Sequence, residues 1–298
     1  MSRIRIGLIG GSGLGDELCK AISGREYFSD TPFGRPSGPI ICGEWEGVPI
    51  AVLARHGQGH VYGPSHVPFR ANIFALKQVG VTHIIASGAV GSLREDVHPG
   101  ELLIPDQVID KTYKRDNSFF GKGIVAHVEF DQPFCPILRN VLLETGKAMA
   151  VKVHKKGTYV CMEGPQFSTV AESHLHRSWG GDVIGMTCMP EAKLAREAEI
   201  CYAMVTLPTD YDCWKPHEEG RSKRDLLAEI IENMARASKL ATELIKESLR
   251  AVAKMAPERL DCPCRNSLEL AIWTDRSRIA PAEVRQLEPL IGRYFNHG

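Results

Sequence analysis

From residue 4 to about residue 215 the chain alternates short apolar runs with longer stretches whose apolar positions recur every third or fourth residue. Residues 4–10, 48–53, 83–87, 101–109, 158–162, 182–186 and 200–207 are rich in Ile and Val and bounded by Gly or Pro, which predicts strands. Residues 70–79, 135–149, 168–179 and 191–199 carry helical spacing. That alternation predicts an α/β domain whose central mixed β-sheet is flanked by helices. Residues 226–255 form the longest helical pattern, apolar at every third or fourth place with charges between, as in a packing helix. No repeat, low-complexity linker or composition break interrupts the pattern before about residue 257. The expected organisation is one domain over residues 1–256, with residues 257–298 as a C-terminal extension packed on it. That extension reads as a helix, a short loop and a second helix over residues 281–294.

Composition narrows the function more than the fold. The 298 residues, 43% of them hydrophobic, suffice for a substantial core. Thirty-six basic and thirty-six acidic residues cancel, without a long block of either sign. Generic attraction to nucleic acid or to an anionic membrane is therefore not expected, although a local anion site is compatible with this balance. No segment approaches the ~18 uninterrupted apolar residues of a membrane span. The opening Met-Ser-Arg-Ile-Arg-Ile-Gly leads straight into a strand pattern without a signal-peptide core. Nine cysteines, mostly inside apolar runs, suit a reducing compartment, and a cytoplasmic location is expected.

The segment richest in chemistry is Thr209-Asp-Tyr-Asp-Cys-Trp214, which follows an apolar run ending in Pro208. If the chain remains extended there, Asp210 and Asp212 point the same way and can face one pocket. Two carboxyls that close in a dry site do not both ionise cheaply, so one keeps a proton that a leaving group can take. A solvated turn with an aspartate cap accounts for the same six residues.

Other polar and glycine-rich segments also follow strands. Gly10-Gly11-Ser12-Gly13-Leu14-Gly15 permits close backbone approach to an anion, but its spacing is neither a dinucleotide fingerprint nor a P-loop. Arg55 and His56, after the second strand, offer donors suited to phosphate. Gly57 and Gly59 break the helix on which His56 and His60 would pair as metal ligands, so no metal site is assigned. Ala86-Ser-Gly-Ala-Val-Gly-Ser92 follows a further strand with small residues that let N–H groups point into a cavity or let a helix pack closely. Met186 and Thr187 close another strand, and Pro190-Glu191 reads as a helix start with an acid near its positive end. Together these segments describe a ligand site along the strand ends of an α/β sheet. It holds one anion-binding set and one acid pair and lacks a nucleophile–base dyad, which points to direct transfer of a group onto phosphate.

The chain resembles the methylthioadenosine phosphorylase branch of the purine nucleoside phosphorylases. The resemblance runs in order from about residue 4 to 245. It is carried by Gly10-Gly-Ser-Gly-Leu14, Arg55-His-Gly57, Gly91-Ser-Leu-Arg94, Glu163-Gly-Pro-Gln-Phe167, Met189-Pro-Glu-Ala192, Leu194-Ala-Arg-Glu197 and the hexamer at 209–214. It implies a nucleoside-phosphorylase-like fold and phosphorolysis of 5'-methylthioadenosine to adenine and 5-methylthioribose-1-phosphate. Phosphate is then a co-substrate, and no cofactor is implied. The resemblance assigns phosphate contacts to Ser12, Arg55, His56, Gly88, Ala89 and Thr187. It sets Met186 against the ribose and Phe167 against the base, with Asp210, Tyr211 and Asp212 at the adenine and Ser168 nearby. It also implies a homotrimer, or a hexamer as in some relatives, in which His127 reaches the neighbouring subunit's pocket.

An aspartate pair suits a 6-aminopurine, whose amino group needs an acceptor; a 6-oxopurine suits an amide side chain better. Lys223 departs from the family pattern, which has an apolar residue at that helix start beside the 5' substituent. Its stem can cover a methylthio group or its head can admit a more polar 5' group, so adenosine stays open as a substrate. The chain beyond about Thr274 is longer than in many relatives, and oligomer packing is its expected role. Cys262-Pro-Cys264 resembles a Cys-x-Cys near the C-terminus of some members, and three states stay open for it. These are a strained bridge, pairing of one cysteine with Cys135 or Cys201, and free thiols. Rival functions are a 6-oxopurine nucleoside phosphorylase and a non-catalytic nucleotide sensor with the same fold.

Overall fold

The computed structural model describes residues 4–11, 22–216, 220–260 and 262–295. Among the described residues, eleven strands form one mixed sheet. They are β1 (Ile6–Gly10), β2 (Gly24–Tyr27), β3 (Ile40–Trp45), β4 (Val48–Ala54), β5 (His83–Ser92), β6 (Leu102–Leu103), β7 (Gln107–Asp110), β8 (Val153–His154), β9 (Thr158–Cys161), β10 (Val183–Gly185) and β11 (Cys201–Asp210). The main path runs β2-β3-β4-β1-β5-β10-β9-β7, while β11 pairs with β5 and β6, and β6 with β8. The centre is parallel: β1 lies between β4 and β5, and β11 runs beside β5 over its whole length.

The near-continuous apolar runs of the central strands follow from burial on both faces. Successive residues alternate between two cores. Ile9, Ala51, Leu53, Ile84, Ala86, Tyr202 and Met204 belong to one. Ile6, Leu8, Ile50, Val52, Ile85, Ala203 and Val205 belong to the other. The first face is covered by helices α1 (Phe69–Gln78) and α4 (Cys188–Glu197), the second by α2 (Pro136–Ala148) and α5 (Lys223–Ala253). α3 (Val170–Ser178) starts at a capping box in which Thr169 and Glu172 satisfy each other's backbone N–H groups. Ser222 and Asp225 do the same for α5.

The predicted fold class is observed, with local differences: the run expected as one strand over residues 101–109 breaks into β6 and β7, and β8 has no predicted counterpart. β2 and β3 lack an apolar run, because β2 is exposed along its length at the sheet edge and β3 is interrupted by Gly43. The glycine-rich segment 86–92 does not follow a strand; it is the second half of β5. Beyond residue 257 the described residues form 3-10 turns in place of the first expected helix, and two short helices, α6 (Pro281–Gln286) and α7 (Glu288–Phe295), in place of the second. Leu268, Ile279, Leu290 and Ile291 from this stretch enter the first core and Leu260 the second.

The end of α4 fixes a long connection that reaches the site. Arg196 donates to the carbonyl oxygens of Glu129 at 2.8 Å and Gln132 at 2.5 Å. Glu197 accepts from the Ser118 hydroxyl and the Phe119 N–H, each at 2.7 Å. Burial pushes the Glu197 carboxyl up to about 7, against those hydrogen bonds. A raised carboxyl contributes stability that is fully present below its unfolded value of 4.5 and lost as pH rises through about 7. Glu197→Gln, which keeps the neutral form at every pH, should therefore gain stability over the parent between pH 5 and pH 8. The gain is on the order of 2–3 kcal/mol in urea unfolding; equal urea midpoints at both pH values would refute this account of Glu197.

Candidate active site

The site is built on an uncovered stretch of β5. Along one edge β5 pairs with β1 as far as Ala86, opposite Ile9, and with the antiparallel β10 only from Gly91, opposite Ile184. Ser87, Gly88, Ala89 and Val90 lie between, facing the chain that leaves β1 and the chain that leaves β10. The other edge is covered by β11, from Val205 opposite Ser87 to Asp210 opposite Gly91. Backbone groups in such a gap need partners other than a strand. Glycine lets neighbours close in: a Cβ on Gly11 would stand 2.6 Å from Arg55 Nη1 and 2.8 Å from the Ser87 oxygen. A Cβ on Gly88 would meet the end of Met204 at 2.8 Å and lie 3.7 Å from Thr187 Oγ1. Gly11, Arg55, Gly88 and Thr187 thus converge on one place, with Ala89 next along the strand. Ser12 lies outside the described residues.

Arg55, fully buried at the end of β4, is the charged centre of this convergence. Its Nε and Nη2 donate to the two oxygens of Glu191 at 2.7 and 2.8 Å, and Nη1 donates to the Ser87 carbonyl at 2.7 Å. Burial opposes the guanidinium charge, but the Glu191 carboxylate outweighs it and raises the Arg55 pKa. Glu191 Oε1 also accepts from the Tyr202 hydroxyl at 2.8 Å. Glu191 is therefore a buried counter-ion, not the helix-capping acid read from the sequence; α4 begins at Thr187 without a side-chain cap. Arg55 retains N–H groups on Nη1 and Nη2 for an anion, while its bidentate face is already taken.

His56 departs from the donor role expected of it. Its Nδ1 lies 2.8 Å from the Tyr62 carbonyl oxygen, which can only accept, so Nδ1 carries the hydrogen. Burial and then the Arg55 charge lower its pKa to about 4, so the ring is neutral at pH 7. Nε2 is left as an acceptor, suited to a phosphate hydroxyl and not to a bare phosphate oxygen. The ring stacks on His60 at 4.0 Å.

Beyond β9 and β10, Arg115 ties three connections together. It donates from Nη1 to the carbonyls of Met186 and Met189, both at 2.5 Å, from Nη2 to that of Glu163 at 2.7 Å, and from Nε to the Glu163 carboxylate at 3.1 Å. Burial raises the Glu163 pKa. Hydrogen bonds from Ser65 and from the N–H groups of Tyr113 and Lys114, with the Arg115 charge, bring it down to about 2. Met186 packs on the Gly164 turn, where an added Cβ would stand 2.5 Å from its sulfur.

The hexamer is extended only as far as Asp210, where β11 ends. Tyr211 leaves the strand region and Asp212 has a φ of 47°, starting the 3-10 turn Asp212–Trp214. Asp210 accepts from the Thr209 hydroxyl at 2.7 Å and, on its other oxygen, from the Asp212 N–H at 3.0 Å. The Asp212 carboxylate accepts from the Ser173 hydroxyl on α3. The two aspartates are thus joined through backbone and turn, not by strand alternation. Trp214, buried, donates to the Ser92 carbonyl at 2.8 Å, and Cys213 to that of Ser168 at 3.3 Å. The Tyr211 hydroxyl is within 2.6 Å of His98 Nδ1, which engages it with the loop after β5.

Three predicted positions lie at the surface. Phe167 is 83% exposed, and His127 is exposed with its ring against that of Trp273 at 5.6 Å. Lys223 is exposed in the first turn of α5.

Residues 5–250 match the family model described as Phosphorylase superfamily. The chain belongs to the phosphorylase superfamily. Among curated proteins it is 47% identical to an S-methyl-5'-thioadenosine phosphorylase of Geobacter sulfurreducens, over 97% of this chain and 98% of that one. It is 46% identical to the Chloroflexus aurantiacus enzyme of the same name, over 99% and 100% of the two chains. Among solved structures it is similar to a methylthioadenosine phosphorylase from an antarctic soil metagenomic library, with TM-score 0.85, 42% identity and coverage of 97% and 99%. A Schistosoma mansoni methylthioadenosine phosphorylase in complex with adenine follows at TM-score 0.83 and 32% identity, covering 91% of this chain and 99% of that one.

For this phosphorylase-superfamily chain, sequence reasoning missed Arg115, Ser173 and Tyr202 and misread Glu191. A lone arginine in a polar loop, a serine inside a helix and a tyrosine inside a strand give no local signal of what they meet. Removing the Glu191 charge leaves a buried guanidinium uncompensated. Glu191→Gln should lower unfolding stability by about 3–5 kcal/mol, whereas Tyr202→Phe should cost about 1 kcal/mol because Arg55 still holds the carboxylate. Equal losses in urea unfolding would contradict this ordering.

Proposed function

We infer that the chain catalyses phosphorolysis of 5'-methylthioadenosine, giving adenine and 5-methylthioribose-1-phosphate. It is a pentosyltransferase of the purine nucleoside type. The observation that carries this reading is the four-residue gap in the β5 ladder, with Arg55 on one side and the Asp210 carboxylate at the end of the neighbouring strand, in a chain similar over nearly its whole length to enzymes of that name.

In this reading phosphate sits at the gap, contacted by Ser12, Arg55, His56, Gly88, Ala89 and Thr187. The Thr187 hydroxyl, which caps no helix, is available to it. Neutral His56 accepts the hydrogen of a phosphate hydroxyl and so leaves the nucleophilic oxygen unprotonated. Met186 bounds the ribose, Phe167 and Ser168 the base, and Tyr211 holds the loop from behind through His98. The N9–C1' bond breaks with its electron pair going to the purine, while a phosphate oxygen forms the new bond at C1'. Asp210 in its protonated form gives a proton to N7, and its other oxygen accepts from the 6-amino group. Asp212, fixed by Ser173, positions Asp210 through its N–H. General acid assistance of this kind is worth about 10²–10⁴-fold.

The reading extends to assembly. Phe28, Phe167, Leu270 and Trp273 expose large apolar area, which suits a homotrimer or hexamer in which His127 completes a neighbour's pocket. Inorganic phosphate is the only added reactant, no metal or cofactor takes part, and a cytoplasmic setting fits the charge balance and cysteine use. A second reading, acceptance of adenosine, rests on Lys223: at the helix start that the resemblance sets beside the 5' substituent, an ammonium suits a hydroxyl better than a methylthio group.

Release of the purine base should require phosphate and follow the order methylthioadenosine, adenosine (both giving adenine), inosine (giving hypoxanthine). A faster rate with adenosine would replace the first reading by the second, and release in water alone would identify a hydrolase. Asp210→Asn should lower kcat/KM for methylthioadenosine by about 10²–10⁴-fold and shift relative preference toward inosine. An unchanged rate would remove Asp210 from the chemistry.

A further inference from the structure

On the face of the sheet covered by α2 and α5, four cysteines from distant parts of the chain meet. The sulfur atoms of Cys135, Cys201, Cys262 and Cys264 all lie within 4.8 Å of one another, and all four residues are buried. Cys135 is the N-cap of α2, Cys201 opens β11, and Cys262 and Cys264 flank Pro263 at the turn Pro263–Asn266. Cys135 and Cys262 are 127 residues apart in sequence yet 3.5 Å apart at sulfur, and Cys262 is 3.3 Å from Cys264. All four are free thiols.

We propose that these four cysteines form a tetrathiolate site for one soft divalent cation of the zinc class. A zinc ion 2.3 Å from four sulfurs sets them about 3.8 Å apart at the corners of a tetrahedron. The observed separations of 3.3 to 4.8 Å bracket that edge, so side-chain rotations of a fraction of an ångström to about an ångström complete the geometry. Four sulfurs, with no nitrogen or oxygen ligand among them, select a soft ion over magnesium or calcium. Binding converts M²⁺ and four thiols into an M(SR)₄ centre of charge −2 and releases four protons. The surroundings suit that charge. The N-terminus of α2 points at the cluster, with the Leu138 N–H 3.4 Å from Cys135 sulfur. Arg139 stands in the first turn of α2, its backbone N–H bonded to the Cys135 carbonyl at 3.0 Å.

Such an ion would join the start of the C-terminal stretch to α2 and β11, on strand β11 that ends at Asp210 but at its opposite end. The site is structural and independent of the proposed chemistry. No ordinary sequence spacing announces it, which is why no metal was assigned from the sequence; the fold gathers the ligands.

The test uses the full chain purified under reducing conditions. Metal analysis after growth with zinc should find one zinc per chain, and cobalt titration of the stripped protein should give a thiolate-to-cobalt charge-transfer band saturating at one equivalent. Cys264→Ser should lower cobalt affinity at least about tenfold, while Cys42→Ser, outside the cluster, should leave it unchanged. Should Cys264→Ser fail to fold, the cobalt titration of the parent decides alone. Substoichiometric zinc with no charge-transfer band, an intact mass reduced by disulfide formation in the freshly purified protein, or an undiminished band in Cys264→Ser would each overturn the proposal.

Discussion

The structure depends on one unresolved demand of its central sheet. β5 is longer than either neighbour on its first edge, so the ladder it makes with β1 ends before the one it makes with β10 begins. The backbone between needs partners, and Arg55 supplies one of them through the Ser87 carbonyl. A guanidinium can enter that dry space only with a counter-charge, which Glu191 provides from α4. The pair thus ties the end of β4, the middle of β5 and the start of α4 together. It also leaves the remaining N–H groups of a permanently charged residue beside glycines, where an anion can approach.

The second half of the site answers a different constraint. The turn after β11 must reverse direction at once, and Asp212 does so in a left-handed conformation that an aspartate tolerates better than a branched residue. Gly91 makes room for it, since a Cβ there would stand 3.2 Å from that of Asp212. Trp214 then seals the turn by bonding to Ser92. The Arg55 side and the Asp210 side of the gap are therefore both referenced to β5, one through the Ser87 carbonyl and the other through the β11 ladder. Arg115 plays the matching part for the connections after β9 and β10, satisfying carbonyls that would otherwise be buried without donors.

Buried ionisable groups divide by what they do. Glu163 is held charged by a ring of donors and serves as an anchor, whereas Glu197 is held toward neutrality by burial at the base of a loop. His56 is kept neutral beside a cation by burial and by the Arg55 charge. The four-cysteine cluster belongs to the other face of the sheet and to the opposite end of β11.

The alternation of apolar runs and helical spacing, by itself, determined the fold class, seven strand regions and the main helices, because burial on both faces of a parallel sheet writes itself into composition. It also pointed to the segments Arg55-His56, Ser87–Val90, Met186–Thr187 and Thr209–Asp212, since polar and glycine residues after apolar strands are rare without cause. Tertiary structure alone decided what those residues touch. Glu191 looks like a helix-start acid until Arg55 arrives from 136 residues away. His56 looks like a donor until Tyr62 takes its hydrogen, and the aspartates look like strand neighbours until φ at Asp212 turns positive. The exposed β2 and the scattered cysteines left no periodic trace, because pairing at a sheet edge and convergence of sulfur atoms are properties of long-range packing and not of local order.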